Sequence, residues 1–100
     1  MLKLTETQKR HLRRLGHQLN PVVRTGNAGL SEAVMNEIEL ALEYHELIKV
    51  KLVAEDRSQR QQFGERICRQ TGAVLVQAVG QIVLLYRPNP ERKGARIALP

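Results

Sequence analysis

The residues best placed to do chemistry lie in the run RTGNAGLS, positions 24–31. Gly26 and Gly29 bracket two small residues, Asn27 and Ala28, and Arg24 stands just before them. Glycine has no Cβ and tolerates positive φ, so a ligand can touch the backbone of such a loop. Leu30 and Ser31 then open a long amphipathic segment. A helix that starts there presents free N–H groups and the positive end of its dipole, and both attract anions. No acid occurs between Glu6 and Glu32, a stretch of 25 residues. The chemistry these residue types support is the holding of a phosphate. The competing reading is a plain turn that needs glycine twice.

The loop matches neither of the better-known nucleotide motifs. A P-loop requires Gly-Lys-Ser/Thr after four intervening residues, and a dinucleotide fingerprint requires a third glycine; both are absent. The spacing fits the short clamp of KH-type RNA modules, in which a GXXG loop holds backbone nucleotides.

A second group is basic. Lys9, Arg10, Arg13, Arg14 and His17 fall mostly on one side of a helix, since 10, 13, 14 and 17 are i, i+3, i+4 and i+7 neighbours. Phosphate contact and plain solubility both account for such a face. His17 has a further alternative, a hydrogen bond to the turn that follows it. Lys49 and Lys51 alternate with apolar residues and serve either solubility or polyanion contact. Arg57, Arg60, Arg66 and Arg69 make a second basic helix, opposed only by Glu65. Glu37, Glu39, Glu43 and Glu46 are expected to point away from any polyanion.

Catalysis finds no support. His11, His17 and His45 are not at metal-ligand spacing, and CxxC and HExxH are absent. Cys68 is the single cysteine, so no internal disulfide forms, and beside Ile67 it reads as a small buried hydrophobe. No catalytic residue, metal or cofactor is expected. Aromatic residues are scarce, so recognition by stacked bases is a poor fit.

The elements that must position these groups follow from periodicity and caps. Residues 5–17 read as a helix, with Thr5 and Gln8 as a capping box and Asn20-Pro21 as its stop. A short strand spans 21–25. Residues 31–45 form the clearest helix: Ser31 caps it, Leu30 staples to Met35, and Val34, Ile38, Ala41, Leu42 and His45 recur at helical spacing. Residues 47–53 alternate as a strand with one covered face. Asp56 or Ser58 caps a third helix that ends at Gly72. Residues 73–78 and 82–87 form a hairpin. The order is α-β-α-β-α-β-β. Two right-handed crossovers in one sheet put their helices on one face, which gives a two-layer α/β sandwich with one antiparallel hairpin strand.

Charge is unevenly distributed within the net +6. Residues 1–24 carry six Lys/Arg and one Glu, 25–56 two Lys and seven acids, and 57–100 eight Lys/Arg and two acids. Like charge concentrated this way attracts polyanions, and nucleic acid is the obvious one. A merely soluble protein of high pI is the alternative. No apolar run approaches the roughly 18 residues of a membrane span, and the first residues lack the apolar core of a secretory signal. No membrane association is expected, and a cytoplasmic location is.

Separated positions then agree, in order, with one family. Leu15 and His17 before Leu19, Pro21-Val22-Val23, the GNAG loop with Leu30, HELIKV at 45–50, Gln70-Thr71-Gly72 and VGQIVLLYRP at 79–88 resemble the CRM domain, the RNA-binding module named for chloroplast RNA splicing and ribosome maturation. The match covers roughly residues 4–88, so the chain is similar to bacterial members that consist of this module alone. The resemblance implies a four-stranded mixed sheet of order 1-2-4-3, like the C-terminal domain of translation initiation factor three. It also implies binding to ribosomal RNA in the large-subunit precursor. Residues 1–90 are then one RNA-binding domain and 91–100 a basic tail to which nothing is carried over. The expectation is a monomeric, non-enzymatic RNA-binding protein that assists ribosome assembly, with no small-molecule substrate. The alternative is a protein-interaction module that docks through its acidic second and basic third helices.

Overall fold

The computed structural model describes residues 3–91 and 97–100. The elements run α1 (Glu6–Gly16), β1 (Pro21–Arg24), α2 (Glu32–His45), β2 (Leu47–Lys51), α3 (Arg57–Thr71), β3 (Val74–Val79) and β4 (Ile82–Tyr86). They form one four-stranded sheet of order β1-β2-β4-β3. β1 is parallel to β2, and β4 runs antiparallel to both β2 and β3. The mixed α/β sandwich is therefore the expected one, with β4 inserted between the strands that the second crossover connects.

Local chemistry explains the element boundaries. The Gln8 N–H donates to Thr5 Oγ1 at 3.1 Å and the Thr5 N–H to Gln8 Oε1 at 3.0 Å, which completes the capping box of α1. The Val34 N–H donates to Ser31 Oγ at 3.2 Å, and buried Leu30 and Met35 close the staple of α2. Asp56, rather than Ser58, caps α3, accepting from the Gln59 N–H at 2.8 Å. Gly72 ends that helix at φ 75°, a conformation in which glycine carries no Cβ penalty. The β3–β4 hairpin turns through Gly80, at φ 57°, and Gln81.

The sheet is covered on both faces, unequally. Met35, Ile38 and Leu42 of α2 and Ile67 of α3 pack with Val23, Ile48, Val50 and Leu52 in the main core. On the opposite face Leu12 of α1 meets Leu47, Val76, Leu84 and Tyr86, and Ile97 and Leu99 pack against that second cluster. A Cβ on Gly16 would lie 2.8 Å from Leu84 Cδ2, so α1 approaches β4 as closely as a glycine allows. The helix that precedes the first strand belongs to no crossover. No handedness rule assigns it a face, and its apolar stripe alone fixes it there.

Two expectations for the acidic helix are corrected. His45 is exposed, its ring edge-on to Tyr44 at 5.0 Å. Glu46, expected on the surface, is fully buried. It takes φ 66°, which turns the chain from α2 into β2 and swings the carboxylate inward. There the Asn89 N–H donates to Oε2 at 2.7 Å and the Ile97 N–H to Oε1 at 3.0 Å. Charge-assisted bonds of this kind offset the desolvation of a buried carboxylate. Glu39 is also engaged: Arg87 Nη1 donates to both its oxygens at 2.8 Å and to the Thr71 carbonyl at 2.9 Å.

Candidate nucleic-acid interface

The GNAG loop is held from both ends. Thr25, 1% exposed, fixes the end of β1. Its N–H donates to the Lys51 carbonyl at 3.0 Å, its hydroxyl donates to the Val53 carbonyl at 3.1 Å, and its Oγ1 accepts from the Val53 N–H at 2.8 Å. At the far end Leu30 sinks into the core. Between them the Gly29 N–H donates to the Gly26 carbonyl at 3.0 Å, closing a tight turn. Asn27 and Ala28 stand exposed at its tip, immediately before the N-terminus of α2.

The two glycines answer different needs. Gly29 has φ 67°, and its missing Cβ would sit 3.3 Å from the Phe63 ring of α3. Gly26 has no positive φ, and nothing lies within 4 Å of its Cβ position. Gly29 is therefore required by the fold, whereas Gly26 leaves an open approach to the backbone. Beside the loop is a depression of about 480 Å³, also lined by Val53, Glu55, Gln59, Phe63 and Arg66. Arg66 brings a cation to the loop, and Glu55 brings an acid that tempers it. A single phosphate is small beside this volume; a stretch of ribose-phosphate backbone is a closer fit.

The sheet face on the α1 side carries the next group. Arg24 pairs with Lys51 across the parallel strands, so the two side chains share a face. Leu47, Lys49 and Lys51 point to that face, away from buried Ile48, Val50 and Leu52. His17 and Lys49 line one shallow depression there, with Gln77 and Leu84 as its floor. The His17 N–H donates to the carbonyls of Arg13 and Arg14 at 3.1 and 3.3 Å. Its backbone thus closes α1 by bonding back to the helix rather than on to the turn that follows, while its side chain stays exposed.

Along α1, Arg10 and Arg14 are exposed and Arg13 is half-buried. Arg14 Nη2 donates to His11 Nδ1 at 3.1 Å. Lys9 turns aside toward Glu6, at 3.8 Å, an exposed pair of the kind that contributes little. The Arg10–Arg14 side of the helix adjoins Ala98, Leu99 and Pro100. The basic residues of the tail between them, 92–96, lie outside the described residues.

The structure thus brings Arg24, Lys49, Lys51 and His17 together on one sheet face, with α1 along its side. It places the GNAG loop at the strand end next to Arg24, packed against α3 on the other face. The third helix does not present one basic surface: Arg66 faces the loop, while Arg57 and Arg60 line a separate groove against β3. Sequence reasoning left Thr25, Val53 and Phe63 out of the site. For Phe63 and Arg66 a signal existed, because Gln59, Phe63 and Arg66 are spaced i, i+4, i+7 along one edge of α3. The pairing of Thr25 with Val53 spans 28 residues and leaves no local trace.

Nothing in this arrangement resembles an activated nucleophile. Burial pushes the Cys68 thiol up from its ordinary value, and the Leu75 backbone only partly opposes this, so the sulfur stays protonated at neutral pH. Among the described residues no group of three or more His, Cys, Asp or Glu side chains could hold a metal ion. No helix among them is long and apolar enough to cross a membrane.

Known proteins match this geometry along nearly its whole length. The family model described as the CRS1 / YhbY (CRM) domain matches residues 4–87. A Haemophilus influenzae protein named RNA-binding protein is 49% identical over 100 residues, covering 100% of this chain and 98% of its own. A Pseudomonas aeruginosa protein named as a probable RNA-binding protein is 42% identical over 90 residues, covering 90% of this chain and 86% of its own. The solution structure of a hypothetical protein from Staphylococcus aureus superposes with a TM-score of 0.81 at 35% identity, covering 98% of this chain and 100% of that one. These names describe RNA binders rather than enzymes. With a family model that spans most of the chain and relatives aligned end to end, the protein belongs to the CRS1/YhbY (CRM) domain family.

Proposed function

We propose that this protein binds structured RNA without catalysis, as a monomer, and that its target is ribosomal RNA in the precursor of the large subunit, whose assembly it assists. RNA binding is supported by the family and by the names of its relatives. The ribosomal target rests on what the CRM resemblance implies. The observation that carries the reading is the GNAG loop: an open backbone at Gly26, a small exposed tip at Asn27 and Ala28, a helix N-terminus behind it and Arg66 beside it. The tip and the helix N-terminus hold the sugar-phosphate backbone, while Arg24, Lys51, Lys49 and His17 extend the contact across the sheet face toward Arg14 and Arg10. With Tyr44 on the acidic helix and Phe63 committed to the loop, stacking contributes little. Recognition is of backbone and shape.

Crosslinking the protein to RNA in growing cells and sequencing the attached fragments tests the target. Reads concentrated on one region of large-subunit precursor RNA are expected. Reads spread over messenger RNA, or recovery no greater than from a strain lacking the protein, would contradict the assignment.

A further inference from the structure

The edge strand β3 and the helix beside it have features that RNA binding does not use. β3 ends the sheet order and, among the described residues, has a neighbouring strand on one side only. Its sequence, VLVQAV, contains no charge and no proline. Those are the usual devices that keep a second strand off an exposed edge. Leu75 and Val79 are 41% and 63% exposed. A register shift between Leu75 and Gln77 and a hydrogen bond from the Leu75 backbone to the Cys68 sulfur occupy the start of the strand, and residues 77–79 pair regularly with β4.

Alongside this edge α3 stands off from the sheet, leaving a groove of about 500 Å³. Leu75, Ala78 and Val83 form its apolar wall, and Arg57 and Arg60 stand at the end nearer the start of α3. Gly64 lies at the centre of its helical wall. Glycine in a helix interior is destabilising relative to alanine, because it has more backbone freedom to lose. Gly64 has no positive φ, and nothing lies within 4 Å of its Cβ position. Neither conformation nor packing asks for glycine there. What the missing side chain does is keep the groove open.

We propose that this groove receives an extended, acidic peptide segment of a partner protein, which adds to β3 as a fifth strand. A strand edge offers alternating N–H donors and carbonyl acceptors, and a peptide backbone matches that alternation. A phosphodiester backbone offers acceptors and does not. Alternate side chains of the added strand enter the apolar groove beside Gly64, and a carboxylate at its end meets Arg57 and Arg60, which outnumber Glu65. A second copy of the chain is a poorer occupant. Each copy carries a net charge of +6 and would bring its own Arg57 and Arg60 to the same place. The inference stands apart from the RNA reading, because the groove lies on the side of α3 away from the GNAG loop.

The test uses the full chain, labelled with ¹⁵N, and two synthetic nine-residue probes: alternating Val and Thr led by two Asp, and the same peptide led by two Lys. The Asp peptide is expected to shift the amides of β3 and of the groove side of α3, and to bind at least tenfold tighter than the Lys peptide. Gly64→Leu fills the groove, so it should abolish peptide binding, leave RNA affinity within twofold and not lower the melting temperature. Arg57→Glu with Arg60→Glu leaves the groove open and should reverse the preference between the two peptides, which keeps the test decisive if the leucine variant folds poorly. The proposal is overturned if the peptides bind equally or not at all, if the shifts map to α1 or the GNAG loop, or if Gly64→Leu weakens RNA instead. It is also overturned if the edge is occupied by a second copy, seen as dimerisation lost in Gly64→Leu.

Discussion

Gly26 and Gly29 share a letter in the sequence and differ in what the fold demands of them. Gly29→Ala forces a Cβ onto a residue at φ 67° and against the Phe63 ring, and should destabilise by more than about 1 kcal/mol. Gly26→Ala has open space and should stay within about 0.5 kcal/mol, as surface substitutions usually do; thermal melts of the two variants measure the contrast. The sequence showed the loop but not this division, because the reason lies in α3, far along the chain. The loop tip tests the proposed clamp itself. Asn27→Asp with Ala28→Asp puts two carboxylates where the phosphate is placed. Like charges at about 4 Å repel by roughly 1 kcal/mol in water and 4 at an effective dielectric of 20, so RNA affinity should fall about tenfold or more. Melting should be near that of the wild type, since acids next to a helix N-terminus are mildly favourable. Glu46 was misread from sequence for a related reason. Its spacing from Ile38 and Leu42 already puts it on the buried side of α2, but the N–H groups that accommodate its carboxylate come from Asn89 and Ile97, far along the chain. Glu46→Ala strands the N–H groups of Asn89 and Ile97, and each charge-assisted bond lost costs about 1.5–3 kcal/mol. A loss of about 3 kcal/mol or more by urea denaturation is expected, with the GNAG loop untouched.

At the scale of elements, the caps and apolar periods were readable, since each depends on residues three or four apart. Thr5 with Gln8, Ser31 as a cap, Leu30 with Met35 and Gly72 all act where the spacing put them. The two crossovers also fixed the side on which α2 and α3 lie. The side chosen by α1 was not readable, nor that α3 turns one edge to the GNAG loop and another to the groove beside β3. Both depend on how a helix is rotated against the sheet. The rotation of α1, set by Leu12 and Gly16 against β4, turns Arg10 and Arg14 outward. Arg10→Gln, Arg13→Gln and Arg14→Gln together should therefore leave the fold intact, because the exposed positions 10 and 14 shift stability by about 0.5 kcal/mol each, Gln keeps part of the aliphatic stem of half-buried Arg13, and Gln is a good helix former. RNA affinity should drop, with the loss shrinking as salt is raised. A folded triple variant with wild-type affinity would move the contact off α1 altogether.

For the molecule as a whole, charge is arranged by face rather than spread evenly. Glu37 and Glu43 stay on the outer side of α2, Glu39 is held by Arg87 and Glu46 is buried, while Glu32 stands exposed in the first turn of α2, close to the GNAG loop. The central claim is that binding runs through phosphates over this surface, and its salt dependence measures that directly. Counterions released from the RNA make log Kd rise linearly with log salt, by about 0.7–0.9 per phosphate contact. About five of the cations at Arg10, Arg13, Arg14, Arg24, Lys49, Lys51 and Arg66 in contact give a slope of roughly 3.5–4.5. Titration of a structured RNA hairpin with the wild-type chain across a range of salt should return that slope, and the α1 triple variant a shallower one. An affinity that stays unchanged from low to moderate salt would contradict the account.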